Sequence, residues 1–373
     1  MPLTKASFSM INGNVANIVD YGADPTGATD STTAINNAIT ANSVVVIPPG
    51  TFRCDSTIQI YDDYKTVLLQ GTVKRFTANS ASTRPVVRIK GNYCSFQGVG
   101  PAATVWSENA APKGVFLWGS ENPGDITGSD SVNSRHVNVS KLRIRAKDGA
   151  GSGLTLALLS SEFYSGGALY NGIFSDLVLV GGEKQLYLNP VVNGNTFSNI
   201  NFYETRGYSV YLDGLFGGLI TDNQFSNFFI DAAVTNTASY YGRYVVQCVF
   251  SNMGGEPGGG AYVDFDDKSG SIVWTGYDNH PSGGAWFATD SFYSANGETR
   301  LTNLTAKKIT MTTATSSSQD SAIYVLNSTS QELLIVRNNG RIEMPNLPTA
   351  AAGLVSGSIW VDTAASNVLK RVP

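Results

Sequence analysis

A four-residue phrase recurs along the middle of the chain: Phe174-Ser175-Asp176-Leu177, Phe197-Ser198-Asn199-Ile200, Phe225-Ser226-Asn227-Phe228 and Phe250-Ser251-Asn252-Met253. Successive phenylalanines lie 23, 28 and 25 residues apart, and a weaker relative, Val139-Ser140-Lys141-Leu142, precedes the series. Between the phrases run short alternating segments such as Gln185-Leu186-Tyr187-Leu188 and Val210-Tyr211-Leu212, separated by Gly and Asn. Each period therefore holds two or three short strands and as many turns. That is one coil of a parallel β-solenoid, whose coils stack at the sheet spacing of about 4.8 Å. The inward phenylalanines are expected to stack from coil to coil, with Asp176, Asn199, Asn227 and Asn252 forming an internal polar ladder.

Composition agrees with this reading. Only 14% of the 373 residues are charged, glycine contributes 39, and the net charge is −4. Hydrophobic residues make up 42% of the chain, ample for a core and against wholesale disorder. A sparsely charged, slightly acidic surface argues against nucleic acid as a partner, because such binding rests on clustered Lys and Arg. No apolar run approaches the roughly 18 residues of a membrane span. Residues 1–13 hold one lysine and no apolar stretch suited to a secretory signal, which predicts synthesis and folding in the cytosol. Cys54, Cys94 and Cys248 are odd in number and lack C-x-x-C spacing, so they read as buried free thiols. His136 and His280 have no neighbouring ligands, and neither a metal nor a cofactor is expected.

The ends of a solenoid must be covered. Residues 30–41 form the expected N-terminal capping helix, with Asp30 or Ser31 as N-cap, Ala34, Ile35, Ala38 and Ile39 on one apolar face, and Asn42 as its end. The strand Val44-Val45-Val46-Ile47 and the turn Pro48-Pro49-Gly50 follow at once. The rhythm stops near Leu301. Thr310 to Ser321 is a Ser/Thr-rich stretch, and the apolar strands at Ala322 to Leu326 and Leu333 to Val336 have few partners within the tail. These strands predict burial against further copies of the chain, as a homotrimer. The domain reading is a docking or linker segment at 1–16, a β-helix at 17–300, and a β-structured oligomerisation region at 301–373.

Three segments carry a family resemblance: Asp20-Tyr21-Gly22-Ala23-Asp24-Pro25-Thr26-Gly27, Asp30-Ser31-Thr32-Thr33-Ala34-Ile35, and Val46-Ile47-Pro48-Pro49-Gly50-Thr51-Phe52. Together they resemble the opening of the pectate-lyase superfamily, and in particular bacteriophage tailspikes. The stretch Ser356-Gly357-Ser358-Ile359-Trp360-Val361-Asp362 is similar to the end of many phage tail fibres and spikes. The resemblance implies an all-β fold, the right-handed parallel β-helix, in a virion protein that binds bacterial surface polysaccharide and in many cases cleaves it. It also implies attachment to other tail or adaptor proteins through the N-terminal segment. A non-catalytic adhesin and a purely structural tail component are the alternatives, since fold does not fix function.

Four carboxylates follow the recurring phrase: Glu183, Glu204, Asp231 and Glu256 lie 9, 7, 6 and 6 residues past the phenylalanine. Coils in register would bring them to one edge of the solenoid, where paired carboxylates can serve as acid and base or nucleophile for a glycosidic bond. Glu204 and Asp231 are the preferred pair, because Tyr203, Arg206 and Tyr208 beside Glu204 could supply a stacking platform and a cation for an acidic sugar. Asp213 and Asp222 are rivals. Hydrolysis and β-elimination both remain open, since a tyrosine base with a cation would serve the latter. Tyr240, Tyr241, Trp274, Tyr277 and Trp286 are further candidate sugar contacts. The glycine-rich stretch 254–260 lacks a phosphate-loop lysine and reads as a loop between coils.

Overall fold

A computed structural model describes residues 15–119, 134–147, 150–157, 169–189, 191–214, 219–231, 238–256, 261–265, 269 and 272–277. Towards the C-terminus it describes 321–326, 332–337, 342–343, 349, 352, 359–362 and 368–371. The chain divides into two compact units, Met1–Thr299 and Arg300–Pro373. The first is a right-handed parallel β-helix with three parallel sheets of 14, 8 and 5 strands. Among the described residues the chain has a single α-helix, and it is not long and apolar enough to cross a membrane.

The recurring phrase sits in four long strands of the 14-stranded sheet: Ile173–Val180, Thr196–Tyr203, Gln224–Asp231 and Val249–Glu256. Phe174, Phe197, Phe225 and Phe250 are consecutive register partners. Their rings stack in the core with centroids 5.0, 5.0 and 4.6 Å apart. Each strand bends where Asp176, Asn199, Asn227 or Asn252 takes a left-handed conformation, with φ between 54° and 56°. A short Asx side chain tolerates that region better than other non-glycine residues. The four residues do form a ladder. Asn199 Nδ2 donates to Asp176 Oδ1 (3.0 Å), Asn227 Nδ2 to Asn199 Oδ1 (2.9 Å), and Asn252 Nδ2 to Asn227 Oδ1 (2.7 Å).

The ladder is exposed, however, and not internal as the sequence suggested. A left-handed residue reverses the strand's alternation, so the residue after the inward Phe and outward Ser points to solvent once more. The buried polar ladder lies instead one residue before each strand. Asn195 Nδ2 donates to Asn223 Oδ1 (3.0 Å) and the Gly172 amide donates to Asn195 Oδ1 (2.7 Å), all within the core. Cys248 takes the corresponding place in the next coil, where burial pushes its thiol up to about 12. All three cysteines are free and buried.

The capping helix spans Thr32–Ala41 and buries Thr32, Ile35, Ala38 and Ile39. Ser31 is the N-cap residue by position, but its side chain makes no capping bond. The Asp30 carboxylate does so, accepting from the Thr32 amide (3.1 Å) and hydroxyl (2.6 Å) and from the Asp55 amide (3.0 Å) of the next coil. At the other end, Lys65 Nζ donates to the carbonyls of Thr40 (3.1 Å) and Asn42 (3.2 Å), placing a cation on the negative end of the helix dipole. The Asp24 carboxylate gathers the amides and hydroxyls of Thr26 and Thr29. These bonds, the Thr26 hydroxyl foremost, hold its pKa well below the usual carboxylate range. Gly50 has φ +145°, and a Cβ there would stand 2.7 Å from the Pro25 carbonyl oxygen. The segments that carry the family resemblance thus lock one another into the first coil.

In the second unit, Ser321–Leu326, Glu332–Arg337 and Ile342–Glu343 form an antiparallel sheet, and Ile359–Asp362 pairs with Val368–Arg371. The expected docking segment, apart from residues 15 and 16, and most of the Thr310 to Ser321 stretch lie outside the described residues.

Candidate functional site

Beyond each bend, the second half of the long strands resumes period-two alternation, so every other side chain faces outward. One column runs in strict register through eight coils, Arg53, Lys74, Trp106, Arg145, Val180, Tyr203, Asp231 and Glu256, and its side chains from Arg53 to Asp231 face outward. The neighbouring column carries Arg143, Val178, Asn201 and Phe229. A groove of about 420 Å³ opens on this face, lined by Arg143, Arg145, Val180, Tyr203, Glu204 and Asp231. Cations stand at its N-terminal end and carboxylates at its C-terminal end.

Three of the sequence candidates meet here. Asp231 is the register partner of Tyr203, and Glu204 follows Tyr203 at a left-handed bend with φ 57° that ends the strand. Glu204 and Asp231 are therefore on adjacent coils and one position apart along the strand. Combining the spacing between strands with the rise per residue separates their backbones by about 6 Å. Two carboxyl groups mounted that way can address one glycosidic bond from either side. Glu256 is the next register partner of Asp231, although its side chain lies outside the described residues.

The other candidates fall elsewhere. Glu183 is exposed in the turn that enters the 8-stranded sheet, and its carbonyl accepts from the Tyr208 amide. The turns leaving successive long strands differ in length: Val180 to Lys184, Tyr203 to Tyr208, and Asp231 to Ala238. A fixed offset from the phenylalanine thus stops marking equivalent places once the strand has ended. The same turn takes Arg206 out of the groove lining and places Tyr208 on the second sheet.

There Tyr208 joins Tyr187, Tyr211 and Tyr241, with Tyr211 and Tyr241 stacked at 4.7 Å and Lys184 Nζ 3.9 Å from the Tyr211 ring centroid. Burial and then the Asp213 carboxylate raise the pKa values of Tyr187 and Tyr211. Asp213 is ion-paired to Arg243, and Asp222 is exposed at a different corner. Tyr240 is a correction to the sequence reading. It alternates inward beside Tyr241, its ring is 0% exposed, and its hydroxyl meets Met253 Sδ at 3.4 Å, so it is a core residue that no sugar can reach. Trp274 pairs in register with Phe250, at the phenylalanine position, and Tyr277 pairs with Met253. The side chains of Trp274 and Tyr277, together with Trp286 and residues 257–260, lie outside the described residues.

Arg143 and Arg145 line the groove but are not among the sequence candidates. A signal was available, because Arg145 is six residues past Val139 of the weak repeat, the offset that places Tyr203, Asp231 and Glu256 in the same column.

A parallel β-helix with an open, charged groove along one sheet is the class that this fold and site define. Residues 15–227 match the family model described as rhamnogalacturonase A/epimerase, pectate lyase-like, and the chain belongs to that family. A comparison with curated proteins finds no match. Among solved structures, an iota-carrageenase bound to iota-carrageenan fragments is 15% identical, with a TM-score of 0.50 over 68% of this chain and 57% of that one. A Geobacillus virus protein is 15% identical over 98% of this chain and 87% of that one, at a TM-score of 0.48. Tailspike protein 2 of an Escherichia coli bacteriophage is 14% identical over 75% of this chain and 41% of that one, at 0.49. The chain thus spans little more than half of the carrageenase. These likenesses concern the fold.

Proposed function

We propose that the protein is a phage tailspike whose groove binds bacterial surface polysaccharide, whether capsule, exopolysaccharide or O-antigen, and cleaves its glycosidic bonds. The observation that carries this reading is the meeting of Tyr203, Glu204 and Asp231 in one open groove on a β-helix of the pectate lyase-like family. The groove lies on the outer face of the sheet and is lined by residues of four successive coils, which suits a chain of sugars laid across them. Glu204 and Asp231 act as the acid and its partner carboxylate, and Tyr203 offers a ring edge and hydroxyl to the sugar between them. The chain assembles as a homotrimer through residues 301–373 and attaches to the virion through its first residues.

Incubation of the full chain with surface polysaccharide from candidate hosts tests the reading. Falling viscosity with new reducing ends supports cleavage. Retention of polymer without cleavage reassigns the protein as an adhesin, and neither result makes it a structural tail part. Sedimentation tests the assembly: the expected mass is three times that of the 39.6 kDa chain, and a stable monomer would refute the trimer.

A further inference from the structure

We infer that Gln185, Thr205 and Ser209 form a positioning unit, which holds Glu204 in the left-handed bend that sets it at the groove. The inference rests on the reading that Glu204 takes part in cleavage, and adds the residues that place it.

Glu204 stands in an uncommon backbone conformation. Its φ is 57°, a region that glycine enters freely and that a glutamate, lacking the short side chain of Asn or Asp, rarely adopts. One coil earlier the same place after the strand is Gly181, with φ 69°. The chain thus sets a strained carboxylate residue where the neighbouring coil uses glycine. Strain of this kind persists only where the surroundings over-determine it. Among the described residues the Glu204 carboxylate has no hydrogen-bond or ion-pair partner, so its placement follows from the backbone on either side.

A single buried side chain spans that backbone. The Gln185 amide nitrogen donates to the Tyr203 carbonyl, and the Gln185 amide oxygen accepts from the Thr205 hydroxyl (2.7 Å). The Tyr203 carbonyl also accepts from the Gly181 amide (3.1 Å). The Thr205 hydroxyl has one proton, already given to Gln185, so at its 3.2 Å contact with Ser209 Oγ the serine is the donor. Both residues that flank Glu204 are therefore tied to one amide, which is oriented by a relay of donors running from Ser209 through Thr205 and Gln185 to Tyr203.

Gln185, Thr205 and Ser209 are each 0% exposed. Buried amides and hydroxyls are costly without partners, so the three side chains favour the one backbone arrangement that satisfies them all. The register shows that this device is local. Gln185 lies opposite Gly153 in the coil before and Ser209 in the coil after, and Ser239 follows Ser209. Of these four inward places, the one with a side chain long enough to reach a turn of the next coil is Gln185, and the turn it reaches is the one that holds Glu204.

The test uses the full chain and the purified bacterial capsular or O-antigen polysaccharide that it cleaves fastest. Thr205→Val keeps the branched shape and removes the hydroxyl. It should lower kcat about 10- to 100-fold with KM near the wild-type value, since a misplaced catalytic group costs rate rather than binding. Thr205→Ser keeps the bonds and should retain most of the rate. In a Glu204→Gln background, Thr205→Val should cause little further loss, because the group it positions is already gone. A threonine that only supports the fold would lower both backgrounds by the same factor. A wild-type kcat in Thr205→Val, or an equal loss in the two backgrounds, would overturn the inference while leaving Glu204 its role. Full cleavage by Glu204→Gln, or none by the wild-type chain, would overturn that role and the inference with it.

Discussion

Tyr203 and Asp231 face the same groove as register partners on adjacent coils, and the bend at Glu204 sets a second carboxylate one position further on. Catalysis by this pair makes a direct prediction. Glu204→Gln and Asp231→Asn should each lower cleavage of the polysaccharide by about 10²- to 10⁴-fold, the usual worth of a positioned acid or base. Neither change touches the core, so the denaturation midpoint and sedimentation should stay as in the wild type. Full activity in both variants would remove the assignment.

Fold and site were legible to different degrees, for a physical reason. An inward apolar residue has to recur at every coil, and where it is phenylalanine in four consecutive coils, at Phe174, Phe197, Phe225 and Phe250, it announces the solenoid in the sequence. The motif around Asp24, Asp30 and Gly50 repeats nothing, yet it is equally plain because it closes the first coil through side-chain clamps that few other residues could supply. Inside a strand, position follows from counting, and Asp231 was found that way. Past the strand end the turns vary in length, so counting does not bring Glu183 to the groove, and being near Glu204 in sequence does not keep Arg206 and Tyr208 there, because the turn intervenes. The burial of Tyr240 was invisible for a related reason. In Tyr240-Tyr241 one ring must face inward and the other outward, and only the register with Val210 and Tyr211 says which.

The exposed asparagine ladder should contribute stability in two separable ways. Asn227 accepts from Asn252, donates to Asn199, and holds φ 54°. Asn227→Gly loses the bonds but relaxes the left-handed backbone, whereas Asn227→Ala loses the bonds and adds a left-handed penalty of about 1–2 kcal/mol. Equilibrium urea denaturation should therefore rank wild type first and Ala last, with Ala below Gly. Equal stability of Ala and Gly would mean that the bend is not locked in its left-handed form.

Alternation across one strand gives a sharper contrast. Phe225 is fully buried between Phe197 and Phe250, while Phe229 on the same strand is 46% exposed. Phe225→Ala should cost about 3–5 kcal/mol, as expected for a large core cavity, and Phe229→Ala should stay within about 0.5 kcal/mol. Similar costs for the two would show that the strand's register had been placed wrongly.

The N-terminal cap should carry a pH signature. Burial alone would raise the Asp30 pKa, but the bonds from Thr32 and Asp55 and the Arg53 charge outweigh it, and the carboxyl sits below its ordinary value. A folded-state pKa below the unfolded one means that the carboxylate stabilises the fold at every pH above the unfolded value of about 3.9. That contribution fades as the pH falls from there through the folded value. Asp30→Ala should accordingly cost about 1 kcal/mol at neutral pH, typical of a lost helix cap. The gap between variant and wild type, read from denaturation midpoints at a series of pH values, should narrow only below about pH 4. Narrowing on the alkaline side, or a gap that holds constant into strong acid, would show that the Asp30 charge does not brace the capping helix.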